Sequence, residues 1–155
     1  DPVLKRAFLF SCLTGLRKSD IQKLTWGEVQ KFGKYTRIVF KQRKTKGQEY
    51  LDISSQAEKY LGERGNPDDI VFTGFTYGSW TSLELQRWSL AAGVNKNLTF
   101  HCARHTFAVL MLDLGADIYT VSKLLGHRFL TTTQIYAKVL DKNKQNAVSL
   151  IPDIG

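Results

Sequence analysis

The chain has 155 residues, 43% of them hydrophobic, with a formal net charge of +8 and a pI of about 9.6. That length fits one domain with a packed core, and the basic excess favours a polyanionic partner, nucleic acid before a membrane surface. Cys12 and Cys102 are too few for a disulfide framework, and no apolar run approaches the roughly 20 residues that span a bilayer. These features weigh against a disulfide-stapled secreted domain and an integral membrane protein, and make a reducing cytosol the expected compartment. No secretory leader is read. The opening Asp1-Pro2, in place of methionine, leads to the expectation of a domain excised from a longer protein.

From Pro2 to Leu13, apolar residues recur at a helical period through Val3, Leu4, Ala7, Phe8, Leu9 and Leu13, and Gly15 punctuates the run. Ser19-Asp20 then caps a short helix through Leu24. The pattern changes at Tyr35–Lys41, where Thr36, Ile38, Val39 and Phe40 read as a strand, and Gln48–Ile53 alternates again. Together these predict a β-hairpin whose turn carries the basic segment Lys41-Gln42-Arg43-Lys44-Thr45-Lys46. A third short strand is expected at Ile70–Phe72. The remainder reads as helices over Ser54–Leu61, Ser79–Ala92, Arg104–Leu114, Ile118–Leu125, Thr131–Val139 and Asp141–Ser149. Gly93, Gly115 and Gly126 fall just after three of them, where a left-handed cap is wanted. The predicted class is mainly α with a small antiparallel β-sheet (α+β), without internal repeats.

The residues with chemical potential centre on the stretch from Leu125-Gly126-His127 to Tyr136. Tyrosine is a poor nucleophile at neutral pH, since its ordinary pKa is about 10, and it needs cationic groups to stabilise the charge that develops on attack. Arg17, Lys44, His101, Arg104 and His127 are candidates for that task, which points to a phosphate-directed tyrosine. In Gly15-Leu16-Arg17-Lys18-Ser19-Asp20 the arginine sits on a tight turn and Asp20 is placed to orient it, although a plain surface arginine fits too. His101 and Arg104, at i and i+3 of a helix starting at Thr99 or Phe100, share a face suited to an anionic oxygen. His101 and His105 have zinc-helix spacing, but Cys102 stands where a catalytic glutamate belongs and no third ligand follows. A half-buried structural histidine remains the plainer alternative. The basic hairpin tip reads equally as solvated, as tracking a DNA backbone, or as carrying a lysine general acid. Ile135 reads as the better core residue, leaving Tyr136 to face elsewhere; a helix-packing aromatic is the plain reading of that tyrosine.

Taken in order, GLRKSD, QRKTKG, HCARH, LLGH and TTTQIY resemble the tyrosine recombinase, or phage integrase, family over essentially the whole chain. Arg17, Lys44, His101, Arg104, His127 and Tyr136 match its arginine, hairpin lysine, H-x-x-R-H, L-G-H and tyrosine in order and context. Asp20 replaces the usual glutamate, Phe100 and Ala103 stand where proline and leucine are frequent, and Lys46 competes with Lys44 for the lysine role.

The resemblance implies a tyrosine recombinase catalytic-domain fold over residues 1–155, with the N-terminal core-binding domain absent from this chain. It implies that Tyr136 attacks a DNA backbone phosphate and forms a 3′-phosphotyrosyl link, releasing a 5′-hydroxyl. Arg17 and Arg104 would grip the non-bridging oxygens, Lys44 would protonate the leaving oxygen, His101 would manage the tyrosine proton, and His127 would donate to the phosphate. Asp20 would support from behind, while Lys41, Arg43, Lys46 and Arg128 would contact DNA. The implied partner is double-stranded DNA, bound by a tetramer assembled from free monomers, with no cofactor, metal or membrane. Bacterial or phage origin, a mobile element and a nucleoid location follow by the same likeness. In this family the tail equivalent to Asp141–Ser149 often packs on a neighbouring protomer. Two alternatives stay open: a DNA-binding module of the same fold that does not cut, and a type IB topoisomerase-like enzyme that rejoins the original strand.

Overall fold

The computed structural model describes residues 1–41, 48–127 and 134–155. Helix α1 (Pro2–Thr14) is capped by Asp1, whose carboxylate accepts from the N–H groups of Val3 (2.9 Å) and Leu4 (3.3 Å), and it buries Leu4, Ala7, Phe10, Ser11 and Thr14 on one face. Helix α2 (Lys18–Lys23) starts earlier than the Ser19-Asp20 cap expected from sequence. Arg17 is the cap residue, its carbonyl accepting from Asp20 and Ile21 at 3.0 Å each, so Ser19 and Asp20 lie inside the first turn. The reason is the preceding Gly15-Leu16 turn, which already aims the chain into the helix at Lys18.

A 3-10 turn, Trp26–Glu28, leads into strands β1 (Val29–Phe32), β2 (Tyr35–Lys41) and β3 (Gln48–Ile53), antiparallel in that order. The hairpin register pairs Thr36 with Ile53 and Lys41 with Gln48. Ile38, Phe40, Leu51 and Ile53 turn inward, while Arg37 and Asp52 pair on the outer face at 2.7 Å. One expectation needs correction. The third strand is β1, not Ile70–Phe72, of which Ile70 makes one isolated bridge to Thr25 while Val71 and Phe72 join the core. Only Val29 of β1 is buried, so that strand shows no alternation to read.

Helix α3 (Ser55–Glu58) is a single turn, shorter than the expected Ser54–Leu61. Arg6 draws the carbonyls of Tyr60 (3.2 Å) and Leu61 (2.7 Å) to its guanidinium, and the chain tightens into turns there. Helices α4 (Ser79–Ala91), α5 (His101–Asp113) and α6 (Ile118–Leu124) follow, then a 3-10 turn, Gln134–Tyr136, and α7 (Ala137–Val148). The expected pair Thr131–Val139 and Asp141–Ser149 is, over its described residues, that turn and one continuous helix. Asp141 does not start a helix; its carboxylate lies 3.8 Å from Lys144 within α7.

The main core joins α1, the inner face of the sheet and the aromatics around Phe100, whose ring meets Phe8 (5.7 Å), Phe75 (5.2 Å) and Tyr77 (5.7 Å). A second cluster unites Phe107, Ala108 and Leu112 of α5 with Val121 and Leu125. The candidate site lies where the two meet. Among the described residues, no helix is long and apolar enough to cross a membrane.

Candidate active site

Three chain turns and one helix face build the site. The first turn follows α1, where Gly15 takes a left-handed conformation (φ 74) and donates to Ser11 at 2.8 Å. A Cβ at Gly15 would sit 2.6 Å from the Phe107 ring, so the position requires glycine both for conformation and for space. Ser11 Oγ donates to the Leu16 carbonyl at 2.8 Å, which fixes the turn and presents Arg17, extended at φ −68 and ψ 151, at the mouth of a cleft.

The second turn ends α6. Gly126 at φ 68 donates to the Lys123 carbonyl and His127 to that of Ser122, both at 3.0 Å, the paired bonds of a Schellman cap. His127 therefore leaves the helix in a set direction. The third is the 3-10 turn carrying Tyr136. The helix face belongs to α5, whose start is fixed by the Phe100 N–H donating to the Tyr77 hydroxyl at 3.2 Å. Phe100 and Ala103 are fully packed, a structural role for both substitutions from the family pattern.

Arg104 ties two of these turns together. It is 6% exposed, and its two terminal nitrogens donate to the Gly15 carbonyl (2.6 Å) and the Leu125 carbonyl (2.5 Å). Each carbonyl belongs to a helix C-terminus, left without an intrahelical partner and carrying partial negative charge. One buried cation thus satisfies two helix ends and sets the Arg17 turn against the His127 turn. The sequence expectation gave Arg104 a phosphate-gripping role alone; two of its nitrogens are already engaged by backbone.

Arg17, His101 and Arg104 line one cleft of about 630 Å³, with Leu16, Tyr77 and Phe100 among its walls. Beside it, a narrow groove brings Phe40 and Leu51 of the hairpin base next to Arg17, Asp20, Arg104 and Gly126. The charges are felt across the site. Burial first, then Arg17, lower the Arg104 pKa to about 10, opposed by Tyr136 and Asp20. His127 is pushed down to about 4, by burial first and then by Arg104, Arg17 and His101. Burial raises Tyr136, while Arg104 pulls it back, so the phenol is protonated at neutral pH. Asp20, which shares the narrow groove with Arg17 and Arg104 and acts on the Arg104 charge, is itself buried. Such a site is built to receive an anion.

Of the expected site residues, Arg17, Asp20, His101, Arg104, His127 and Tyr136 come together. Arg43, Lys44, Lys46 and Arg128 lie outside the described residues, as does the side chain of Lys41. Two features depart from sequence reasoning. Tyr136, not Ile135, faces inward: Ile135 is 69% exposed, and Tyr136 packs on the second cluster. The phenol oxygen is hydrogen-bonded to His105 Nδ1, a residue the sequence reading considered only as a metal ligand. The signal lay in His105 standing one helical turn beyond His101. Among the described residues no group of three or more His, Cys, Asp or Glu side chains is arranged to hold a metal. Cys12, raised to about 11 by burial and then by Cys102, offers no thiolate to compete as nucleophile.

Fold and site together define a mainly α domain that brings cationic side chains and a tyrosine to one region. The chain belongs to the phage integrase family, whose model matches residues 2–143. It is 33% identical over 140 residues to tyrosine recombinase XerD of Oceanobacillus iheyensis, covering 81% of this chain and 46% of that protein. It is 34% identical over 134 residues to tyrosine recombinase XerC of Actinobacillus pleuropneumoniae, covering 79% and 43%. The chain therefore spans less than half the length of these curated relatives. Its fold is similar to XerH site-specific recombinase bound to palindromic difH substrate in a post-cleavage complex (TM-score 0.70, 19% identity, 95% of this chain and 45% of that one). It is likewise similar to the catalytic domain of bacteriophage HP1 integrase (TM-score 0.64, 23% identity, 97% and 89%).

Proposed function

We propose that residues 1–155 form the catalytic domain of a site-specific DNA recombinase that cuts and rejoins strands through a covalent tyrosine link. The observation that supports this is a protonated Tyr136 phenol in electrostatic reach of Arg104, whose charge is in turn felt by Arg17 and His127, so that a tyrosine borders concentrated positive charge. The recombinase names of the relatives support the same activity. In this reading the partner is double-stranded DNA, and the net charge of +8 supplies general attraction to its backbone.

The phosphodiester enters the cleft with its non-bridging oxygens toward Arg17, the outward part of Arg104, and His127. Tyr136 Oη attacks phosphorus in line with the departing 5′-oxygen, leaving the DNA joined through a 3′-phosphotyrosyl bond. Lys44 of the hairpin gives the leaving oxygen its proton, with Lys41, Arg43, Lys46 and Arg128 on the DNA backbone. Asp20 sustains the charge on Arg104, and the 5′-hydroxyl of another strand reverses the step to complete exchange. The energy of the broken bond is retained in the new one, so this sequence needs no metal or nucleotide. Assembly as a tetramer on DNA from free monomers, and a bacterial cytoplasmic setting, complete the proposal; the bacterial relatives support the setting.

The test is covalent trapping on supercoiled plasmid in excess chelator, wild type beside Tyr136→Phe. The expected result is a protein-linked nick in wild type and none in the variant. An adduct that survives Tyr136→Phe contradicts the assignment.

A further inference from the structure

The Tyr136 hydroxyl is held by His105 Nδ1, with the two rings 5.8 Å apart and inclined at 63°. His101 stands one turn earlier on α5, its ring 4.6 Å from that of His105 and perpendicular to it. The two imidazoles face different things. His101 is exposed and lines the cleft with Arg17 and Arg104, whereas His105 is half-buried and reaches the phenol oxygen. We propose that His105 is the base that takes the phenolic proton of Tyr136 as its oxygen attacks phosphorus, leaving His101 to the phosphate side of the cleft. This inference rests on the tyrosine-nucleophile reading above.

The other described groups of the site suit the task less well. Arg17 and Arg104 are cations with no lone pair to offer. His127 is held near a pKa of about 4 and is a weak acceptor at neutral pH. Asp20 is buried in the first turn of α2, and its charge acts on Arg104. A base is nonetheless required, because burial keeps the phenol protonated. The step balances. With Nδ1 as acceptor, the neutral ring carries its proton on Nε2. The Oη–H bond breaks and its proton moves to Nδ1, giving imidazolium. The Oη–P bond forms, the P–O5′ bond breaks, and the 5′-oxygen takes a proton from the hairpin acid. On rejoining, the imidazolium returns its proton to the departing phenolate.

The experiment is single-turnover adduct formation on a nicked DNA substrate across about pH 5–8, the range in which a histidine titrates. It compares wild type, His105→Asn, His105→Gln and His101→Asn, each checked by thermal melting. Asparagine keeps an oxygen acceptor near the Nδ1 position but cannot take a proton; glutamine gives a second chance of a folded variant. We expect His105→Asn to slow cleavage by about 10²–10⁴-fold and to lose the rise of rate with pH, with DNA binding unchanged. DNA with a 5′-bridging sulfur, whose leaving group needs no proton, should rescue Lys44→Ala but not His105→Asn. The inference is overturned if folded His105 variants cleave at the wild-type rate or keep the pH rise, or if His101→Asn removes it instead. If wild type forms no adduct, the tyrosine reading itself falls; a wild-type adduct with unaffected His105 variants removes only this inference.

Discussion

His127 resists protonation because burial and the charges of Arg104, Arg17 and His101 all oppose a further positive charge, which brings it down to about 4 from 6.5. In the unfolded chain those neighbours are gone, so between about pH 6.5 and 4 the unfolded state binds the extra proton. Stability contributed by the neutral histidine is therefore complete above that window and is lost as pH falls through it. His127→Gln should flatten the fall in urea-unfolding stability between pH 6.5 and 4 relative to wild type; a profile identical to wild type contradicts the assigned environment. Arg104 teaches a related lesson. Its presence in H-x-x-R-H was legible, but its bridge between Gly15 and Leu125 was not, because both partners are backbone carbonyls far away in sequence. Lysine, with one charge point and no fork, could not satisfy both.

At the scale of elements, strong periodicity was readable and weak periodicity was not. Helix α1 and the β2–β3 hairpin follow their sequence patterns closely, since each buries residues at its own period. Strand β1 escaped because it buries a single residue, and α7 was read as the end of one helix and the whole of another, divided between Val139 and Asp141. That helix matters to the proposed chemistry, since it follows directly on the turn that carries Tyr136. It is tied to α5 by Asn143 Nδ2 donating to the Leu112 carbonyl and by Lys142 pairing with Asp113 at 2.6 Å. The ion pair is exposed and contributes little, while the bond to the backbone fixes the helix along α5. Asn143→Ala should cost about 1 kcal/mol of stability yet slow covalent adduct formation several-fold, by loosening the hold on the Tyr136 turn. Equal adduct rates in parallel assays would show that α7 is anchored by other contacts.

Across the whole molecule, the candidate residues are scattered from Arg17 to Tyr136 and meet only because α5 runs between two clusters of apolar side chains. Sequence order made the set recognisable as a family pattern, but not the division of labour within it. The pairing of His105 with Tyr136 depends on how the final turn folds back over α5, a tertiary event without a local signal. The central claim is that Tyr136 becomes the covalent carrier of a DNA strand. The most direct measurement is mass spectrometry of the proteolysed adduct formed on a nicked oligonucleotide, read together with the chemistry of the released DNA end. The expected product is a single modified peptide with the nucleotide joined through its 3′-phosphate to Tyr136, and a free 5′-hydroxyl on the released strand. A linkage to another residue, or to a 5′-phosphate, would contradict it.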